Sequence, residues 1–344
     1  MSYEHPFALG VEEELLLVDA GTHVLVHDAE RILAAVDGLQ PDLYLALVES
    51  ASPITAGAGE AVAALSDARD RARAAGATLL GAGVHPAGPF GEAPHFPSER
   101  YRAVAEQLRG LSDRTPTCAL HVHVGMPDDD ATIRAFNGLR EHLPLLQALA
   151  ANSPFWEGRD SGLASARAQL FRAYPRADIP QAFASWDEYQ ASVDAVCRAG
   201  GLADYTFLWW DLRPHPLLGT IEVRAMDSQS SLRDVLGLAG LVHALARRAV
   251  ESPVRDPSPR EALMESSFRA ARDGLDATLW HDGALRPVAE VAHATLRDLE
   301  GEGLEEIERM LADGNGAARQ QRAHARGGMD ELLATLVAEA AVPA

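Results

Sequence analysis

Residues 9–18, Leu-Gly-Val-Glu-Glu-Glu-Leu-Leu-Leu-Val, constrain this chain more than any other stretch. Their aliphatic content predicts a β-strand, in which successive side chains alternate between faces. Gly10, Glu12, Glu14 and Leu16 then share one face, and Leu9, Val11, Glu13, Leu15 and Leu17 take the other. One face is nearly all apolar. The other carries two carboxylates roughly 7 Å apart, two strand rises of about 3.3 Å each. Ionised carboxylates in the middle of an apolar strand are costly to bury unless something positive meets them. A divalent cation meets that need, and hard oxygen donors suit Mg²⁺ or Mn²⁺. Taken alone, such glutamates more often face water.

Two further segments repeat the pattern. Residues 119–125, Ala-Leu-His-Val-His-Val-Gly, set His121 and His123 against Leu120, Val122 and Val124. Residues 220–226, Thr-Ile-Glu-Val-Arg-Ala-Met, set Glu222 and Arg224 against Ile221 and Val223. Three strands that each pair an apolar face with ligand or phosphate-clamp groups point to a polynuclear metal–phosphate site. Residues 43–51 predict another strand, with Glu49 in phase with Leu43, Leu45 and Leu47 as a further candidate ligand. His85, at the end of a predicted strand over 79–84 and followed by proline, reads as structural.

The 344 residues suffice for one elaborate domain, and the formal net charge is -20. No basic stripe exists to displace counterions from a nucleic acid, so that class of partner is excluded. A cluster of metal ions can still make the local field cationic inside an acidic protein. The two cysteines, Cys118 and Cys197, form no disulfide framework. Cys118 reads as a small buried hydrophobe. The N-terminus lacks a basic region followed by an apolar core, and no apolar run approaches the ~20 residues that span a bilayer. The expectation is a soluble, cytoplasmic protein with no membrane partner.

Along the chain, strands are expected near residues 23–26 and over 207–213, the latter placing Trp209, Asp211 and Arg213 on one face. A Pro-His-Pro turn then leads into the Glu222/Arg224 strand, so a hairpin brings Arg213, Glu222 and Arg224 together. Helical periodicity covers 30–36, 58–77, 99–112, 128–151 and 187–199, and then 230–251, 260–275, 287–299, 303–313 and 329–340. Residues 152–162 carry Pro, two Gly and two aromatics and read as a shaped loop. No repeat and no low-complexity linker divides the chain. The reading is one α+β domain over 1–344 with a largely antiparallel sheet, and a mainly helical C-terminal part from about 230.

With these residues in hand, the sequence resembles the glutamate–cysteine ligase type 2 family of carboxylate–amine ligases, within the glutamine-synthetase-like superfamily. The markers are Leu9-Gly-Val-Glu-Glu-Glu-Leu-Leu-Leu-Val-Asp, Gly83-Val-His-Pro, His121-Val-His-Val-Gly-Met-Pro-Asp and Ser153-Pro-Phe-Trp-Glu-Gly-Arg-Asp. They continue with Trp210-Asp-Leu-Arg-Pro-His-Pro, Thr220-Ile-Glu-Val-Arg-Ala-Met-Asp and Gly316-Ala-Ala-Arg-Gln-Gln-Arg. The resemblance implies a curved antiparallel sheet forming a funnel flanked by helices. It also implies an ATP- and Mg²⁺-dependent ligase (Mn²⁺ substituting) that joins a glutamate-like carboxylate to a cysteine-like amine through an acyl phosphate.

By the same resemblance, Glu12, His121 and Glu222 would hold one metal ion, and Glu14 and Glu49 a second, with Asp42 as a weak outer ligand. His123, Arg224 and Arg213 would contact the transferring phosphoryl group or the acyl phosphate. Loop 152–167 would exclude water, with Ser153 and Arg167 touching substrate alongside Arg213. A homo-oligomer is implied as well. Two other readings stand beside this one: a metal-dependent hydrolase built on His121 and His123, and a non-catalytic binder that keeps the fold. Release of ADP separates a ligase from both.

Overall fold

A computed structural model describes residues 3–91 and 93–343. Seven strands make its main sheet, and every pairing in it is antiparallel. In chain order these begin with β1 (Leu9–Val18), β2 (Leu39–Gln40), β3 (Leu47–Ala51), β4 (Thr78–Leu80) and β5 (Ala119–Gly125). The two-residue strands β6 (Phe155–Trp156) and β7 (Arg159–Asp160) form a separate ribbon, and β8 (Leu212–His215) and β9 (Thr220–Asp227) return to the main sheet. The spatial order is β2-β3-β1-β5-β9-β8. β3 lies along one edge of β1, while β5 and β4 share its other edge, at residues 9–13 and 16–18. The carboxylate-bearing strand is therefore central.

The helices are α1 (Ala29–Ala35), α2 (Ala58–Ala74), α3 (Glu99–Leu108), α4 (Asp129–Ala150), α5 (Ala166–Phe171), α6 (Trp186–Gly200) and α7 (Leu232–Glu251). They continue with α8 (Arg260–Asp273), α9 (Val288–Leu296), α10 (Leu304–Asp313) and α11 (Gly316–Ala340), which breaks at Gly327 and Gly328. Asp128 caps α4 by accepting from Ala131 N–H at 2.6 Å, and Asp129 and Asp130 add charge that suits the helix N-terminus. Leu9 and Val11 of β1, Leu120, Val122 and Val124 of β5, and Ile221 and Val223 of β9 pack with the apolar sides of α2, α4 and α7. Each large aliphatic side chain buried this way contributes about 1.5–3 kcal/mol. Glu13, on the same face as these apolar residues, is fully buried against Arg69 of α2.

Several elements differ from expectation. Residues 23–26 make only an isolated bridge, Val18 to Leu25. The strand expected over 43–51 begins at Leu47, because Leu43 and Leu45 bond to Phe96 and Pro94 instead. Residues 207–213 do not form one strand. A short turn of helix at Tyr205–Phe207 precedes β8, so Trp209 and Arg213 reach the cavity while Asp211 turns away toward Arg172. The hairpin β10 (Thr278–His281) and β11 (Ala284–Pro287), the helix α5 and the first half of α11 were not expected from periodicity. Cys118 is buried among apolar side chains, as read. Among the described residues, no helix is long and apolar enough to cross a membrane.

Candidate active site

The sheet face opposite α2, α4 and α7 floors a cavity of about 570 Å³. Antiparallel register stacks the expected groups across strands. Glu12 lies opposite His121, Glu14 opposite Glu49, His123 opposite Glu222, and Glu222 opposite Arg213. Cross-strand neighbours on one face are within side-chain reach. Five strands, β1, β3, β5, β8 and β9, thus deliver these groups to one place, and all of these residues line the cavity.

Two groups of donors form there. In the first, Glu12, His123 and Glu222 each offer an atom within 4.8 Å of the others. His123 Nε2 is 3.5 Å from Glu12 and 3.8 Å from Glu222. His121, expected as the imidazole of this group, touches it too, with Nδ1 3.5 Å from Glu12 and 4.0 Å from Glu222, and Nε2 4.0 Å from Glu14. His121 therefore lies between the two groups. The second group is Glu14, Asp42 and Glu49. Asp42, read only as a weak outer ligand, is a full member of it. His123 is oriented by a 3.0 Å hydrogen bond between Nδ1 and Thr220, which leaves Nε2 buried and without a partner among the described residues. Such outer contacts fix the ring that a metal would meet.

The electrostatics of the two groups differ. Burial pushes Glu12 upward, but the close imidazoles of His121 and His123 outweigh it and hold its carboxyl far below the usual range. Glu222 likewise loses the burial effect to Arg224 and Arg213 and is held low. His121 is pushed down to about 4 by burial and by Arg224, whereas Glu12 and Glu222 overcome burial and raise His123. In the second group, burial and the Asp42 charge raise Glu14 to about 8. Burial raises Asp42 too, and burial with the charges of Glu12, Asp42 and Glu14 raises Glu49. The first group is neutralised by protein cations. In the second, burial and mutual repulsion outweigh the charges of Arg224, Arg167 and Arg100, so its carboxyls are raised.

The three arginines are used differently. Arg213 donates from Nε and Nη2 to Glu222 Oε2 at 3.0 and 2.8 Å, and from Nη1 to the carbonyls of Thr206 and Leu208, both at 3.1 Å. Expected at the phosphoryl group, it is largely spent on orienting Glu222. Arg224 donates from Nη1 to Glu222, and its buried Nε has no partner among the described residues. Arg167 also keeps an unpartnered, buried Nε at the cavity wall. Ser153, expected against substrate, is not at that wall. It is fully buried, and its Oγ is committed to Asp227 at 2.7 Å and to the Arg167 N–H at 3.2 Å. His85 is tied at both ring nitrogens to backbone, Nε2 to the His23 carbonyl at 2.8 Å and Nδ1 to the Ala87 N–H at 3.1 Å, which fits its structural reading.

Asp227 was missed because strict alternation puts it on the apolar face. Between Leu120 and Val122 the pairing of β5 with β9 shifts, so that Arg224 and Ala225 both oppose His121. This β-bulge reverses the parity of the β9 residues beyond it. Met226 joins the core, and Asp227 turns to the site side, 3.8 Å from Arg167.

Residues 8–339 match the family described as glutamate–cysteine ligase family 2. The chain belongs to that family. A Rubrobacter xylanophilus relative, provisionally named glutamate–cysteine ligase 2-3, is 40% identical over 358 residues, covering 97% of each chain. A Halobacterium salinarum relative named glutamate–cysteine ligase is 35% identical over 331 residues, covering 91% of this chain and 92% of its own. Among solved structures, the Francisella tularensis glutamate–cysteine ligase crystallised with AMP matches with a TM-score of 0.71 at 13% identity, covering 97% of this chain and 88% of that one. At that identity the likeness shows the fold. It is the α+β, glutamine-synthetase-like fold of a family of ATP-dependent, C–N bond-forming ligases, and the described strands carrying Glu12, His123 and Glu222 all lie inside the matched span.

Proposed function

We propose that this chain is a glutamate–cysteine ligase that uses ATP and Mg²⁺ to phosphorylate a carboxylate and then passes the acyl group to an amine. The observation that carries this reading is the convergence of two donor groups with Arg224 on one sheet face. Glu12, His123 and Glu222 would hold one ion, with His121 at its flank, and Glu14, Asp42 and Glu49 a second. The donor chemistry fits: hard oxygens predominate, one buried imidazole nitrogen makes no hydrogen bond among the described residues, and three crowded acids repel one another more than the nearby arginines offset. Bound Mg²⁺ would supply Lewis-acid neutralisation of charge on the transferring phosphoryl oxygens.

The protein's own groups do the rest. Arg213 holds the Glu222 carboxylate in one orientation. Arg224 keeps N–H groups free to face phosphoryl oxygens, and a fixed, always-charged fork suits them. Arg167 offers its free edge to a substrate carboxylate. Of loop 152–167, which is anchored at Ser153 and Ser165, only Arg167 reaches the cavity, so the loop's part is to place that arginine rather than to exclude water from the acyl phosphate. Glutamate and cysteine are the substrates that the relatives' names suggest, the whole chain acts as one catalytic domain, and a homo-oligomer is proposed with it.

ADP release with ATP and Mg²⁺ across pairs of amino acids tests this. ADP and an amide product formed only when glutamate and cysteine are both present would uphold the reading. Mg²⁺-dependent ATP binding with no ADP from any pair would remove the activity, and absence of ATP binding would remove the site.

A further inference from the structure

Asp227 belongs to neither donor group, yet it joins segments that are far apart in the sequence. Its carboxylate, 2% exposed, accepts on Oδ2 from Asn152 N–H at 2.9 Å and from Ser153 Oγ at 2.7 Å, and on Oδ1 from Ser165 Oγ at 2.9 Å. The two serines also face α5. Ser153 Oγ accepts the Arg167 N–H at 3.2 Å, and Ser165 Oγ, the N-cap of α5, accepts the Ala168 N–H at 3.1 Å. A hydroxyl has one proton to give. Each serine gives its proton to Asp227 and a lone pair to the first turn of α5. Two parallel relays therefore run from one fixed carboxylate to the backbone that carries Arg167. Gly83 makes room for it: a Cβ there would stand 2.6 Å from Asp227 Cγ.

Arg167 itself is short of partners. Nη1 is 3.8 Å from Asp227 Oδ1, Nη2 donates to the Arg224 carbonyl at 3.4 Å, and Nε has no partner among the described residues, although the side chain is 5% exposed. Asp227 cannot turn to close the gap, because three other donors hold it. A buried guanidinium with free N–H groups is costly unless an acceptor arrives. At a cavity wall, a carboxylate matches that fork.

We propose that Asp227 is a positioning residue: through Ser153 and Ser165 it fixes the first turn of α5, so that Arg167 presents its free Nε–H edge to the carboxylate of an amino-acid substrate. The inference rests on the ligase reading for the identity of the substrates. Glutamate and cysteine both carry a carboxylate, and kinetics tells them apart.

The test compares Asp227→Asn, Arg167→Met, the double variant and Ser165→Ala with the wild type, varying ATP, glutamate and cysteine in turn. Asp227→Asn should raise the KM of one amino acid about 10- to 100-fold, the loss of a hydrogen bond to a charged group, while the KM for ATP stays within about twofold. Arg167→Met should raise the same KM, and the double variant should be no worse than Arg167→Met. The substrate affected is the one whose carboxylate docks there. Multiplying effects, or an equal rise in all three KM values, would overturn the proposal. If Asp227→Asn does not fold, Ser165→Ala carries the test, and wild-type kinetics in that variant would overturn it as well. If the wild type turns over no pair, the arginine Nε–H resonances give a separate readout. An Arg167 signal moved by L-glutamate or L-cysteine, and displaced in the Asp227 or Ser165 variant, would uphold the positioning role while the ligase reading falls. A signal indifferent to those variants would end the positioning role whatever the activity.

Discussion

Glu12 and Glu13 are neighbours in one strand, and the protein treats them in opposite ways. Glu13 points into the helical side, where Arg69 donates Nε and Nη2 to its two oxygens at 2.9 and 2.7 Å. Arg69 spends two more N–H groups on the carbonyls of Ser230 and Gln229. That pair is closed: every charge has a partner within the chain. Glu12 points into the cavity, and its nearest partners are the imidazoles of His121 and His123, each 3.5 Å away, of which burial and Arg224 push His121 down to about 4. That group is open, and a bound cation would complete it. A buried charge matched inside the chain is structural, whereas one held ready but unmatched belongs to a ligand.

The sharpest way to break this contrast is to neutralise each neighbour in turn. Glu12→Gln should lower ADP formation by about a thousandfold or more, a metal ligand's share of transition-state stabilisation, while the melting temperature holds. Retained turnover would remove Glu12 from the metal site. Glu13→Ala should do the reverse, costing about 3–5 kcal/mol of stability by leaving Arg69 buried and unpaired. Chemical denaturation measures it. Replacing both by apolar residues, Glu13→Leu with Arg69→Met, should recover most of that loss.

The second donor group sharpens the contrast through pH. Glu14 sits near 8 in the folded protein, above the usual carboxylate value near 4.3, so the native state holds a proton that the unfolded chain gives up. Stability from that proton is present at low pH and declines as pH rises through about 8. Metal-stripped protein should therefore melt at lower temperature at pH 9 than at pH 6, and Mg²⁺ should flatten the slope by replacing the proton. Glu14→Gln should flatten it without metal, and an unchanged slope in that variant would clear Glu14 of the effect.

The smallest effect concerns His85, which is closed as Glu13 is, but by backbone alone. Burial pushes it down to about 4, below the unfolded value near 6.5. The unfolded chain takes up that proton first, so stability is lost as pH falls from about 6.5 toward 4. Thermal melts of His85→Gln should show a shallower acid limb, by roughly 3 kcal/mol at pH 4.

Much of the site was legible because strand alternation is local. Glu12, Glu14, His121, His123, Glu222 and Arg224 each sit at a position where period two alone chooses the face. Asp42 and Glu49 were harder, since Asp42 lies on irregular chain before β3 and no periodicity places it. Ser153 was misplaced because a loop's polar residue can turn inward or outward, and only the buried Asp227 carboxylate decides which. The short strand β8 was mistimed because Phe207 and Trp209, apolar enough for a strand, instead stack around the Arg176 and Arg100 guanidinium groups.

By itself the sequence determined which groups share a face, that three strands would each present a pair, and which family the motifs resemble. Tertiary structure decided which pairs meet. Register across β1, β5, β9 and β8 is a long-range property, set by packing on α2, α4 and α7, and it brought both imidazoles, His121 opposite Glu12 and His123 opposite Glu222, to the first donor group. A single bulge turned Asp227 from the core to the site. No window of residues along the chain records either fact, because both depend on what the partner strand offers at that point.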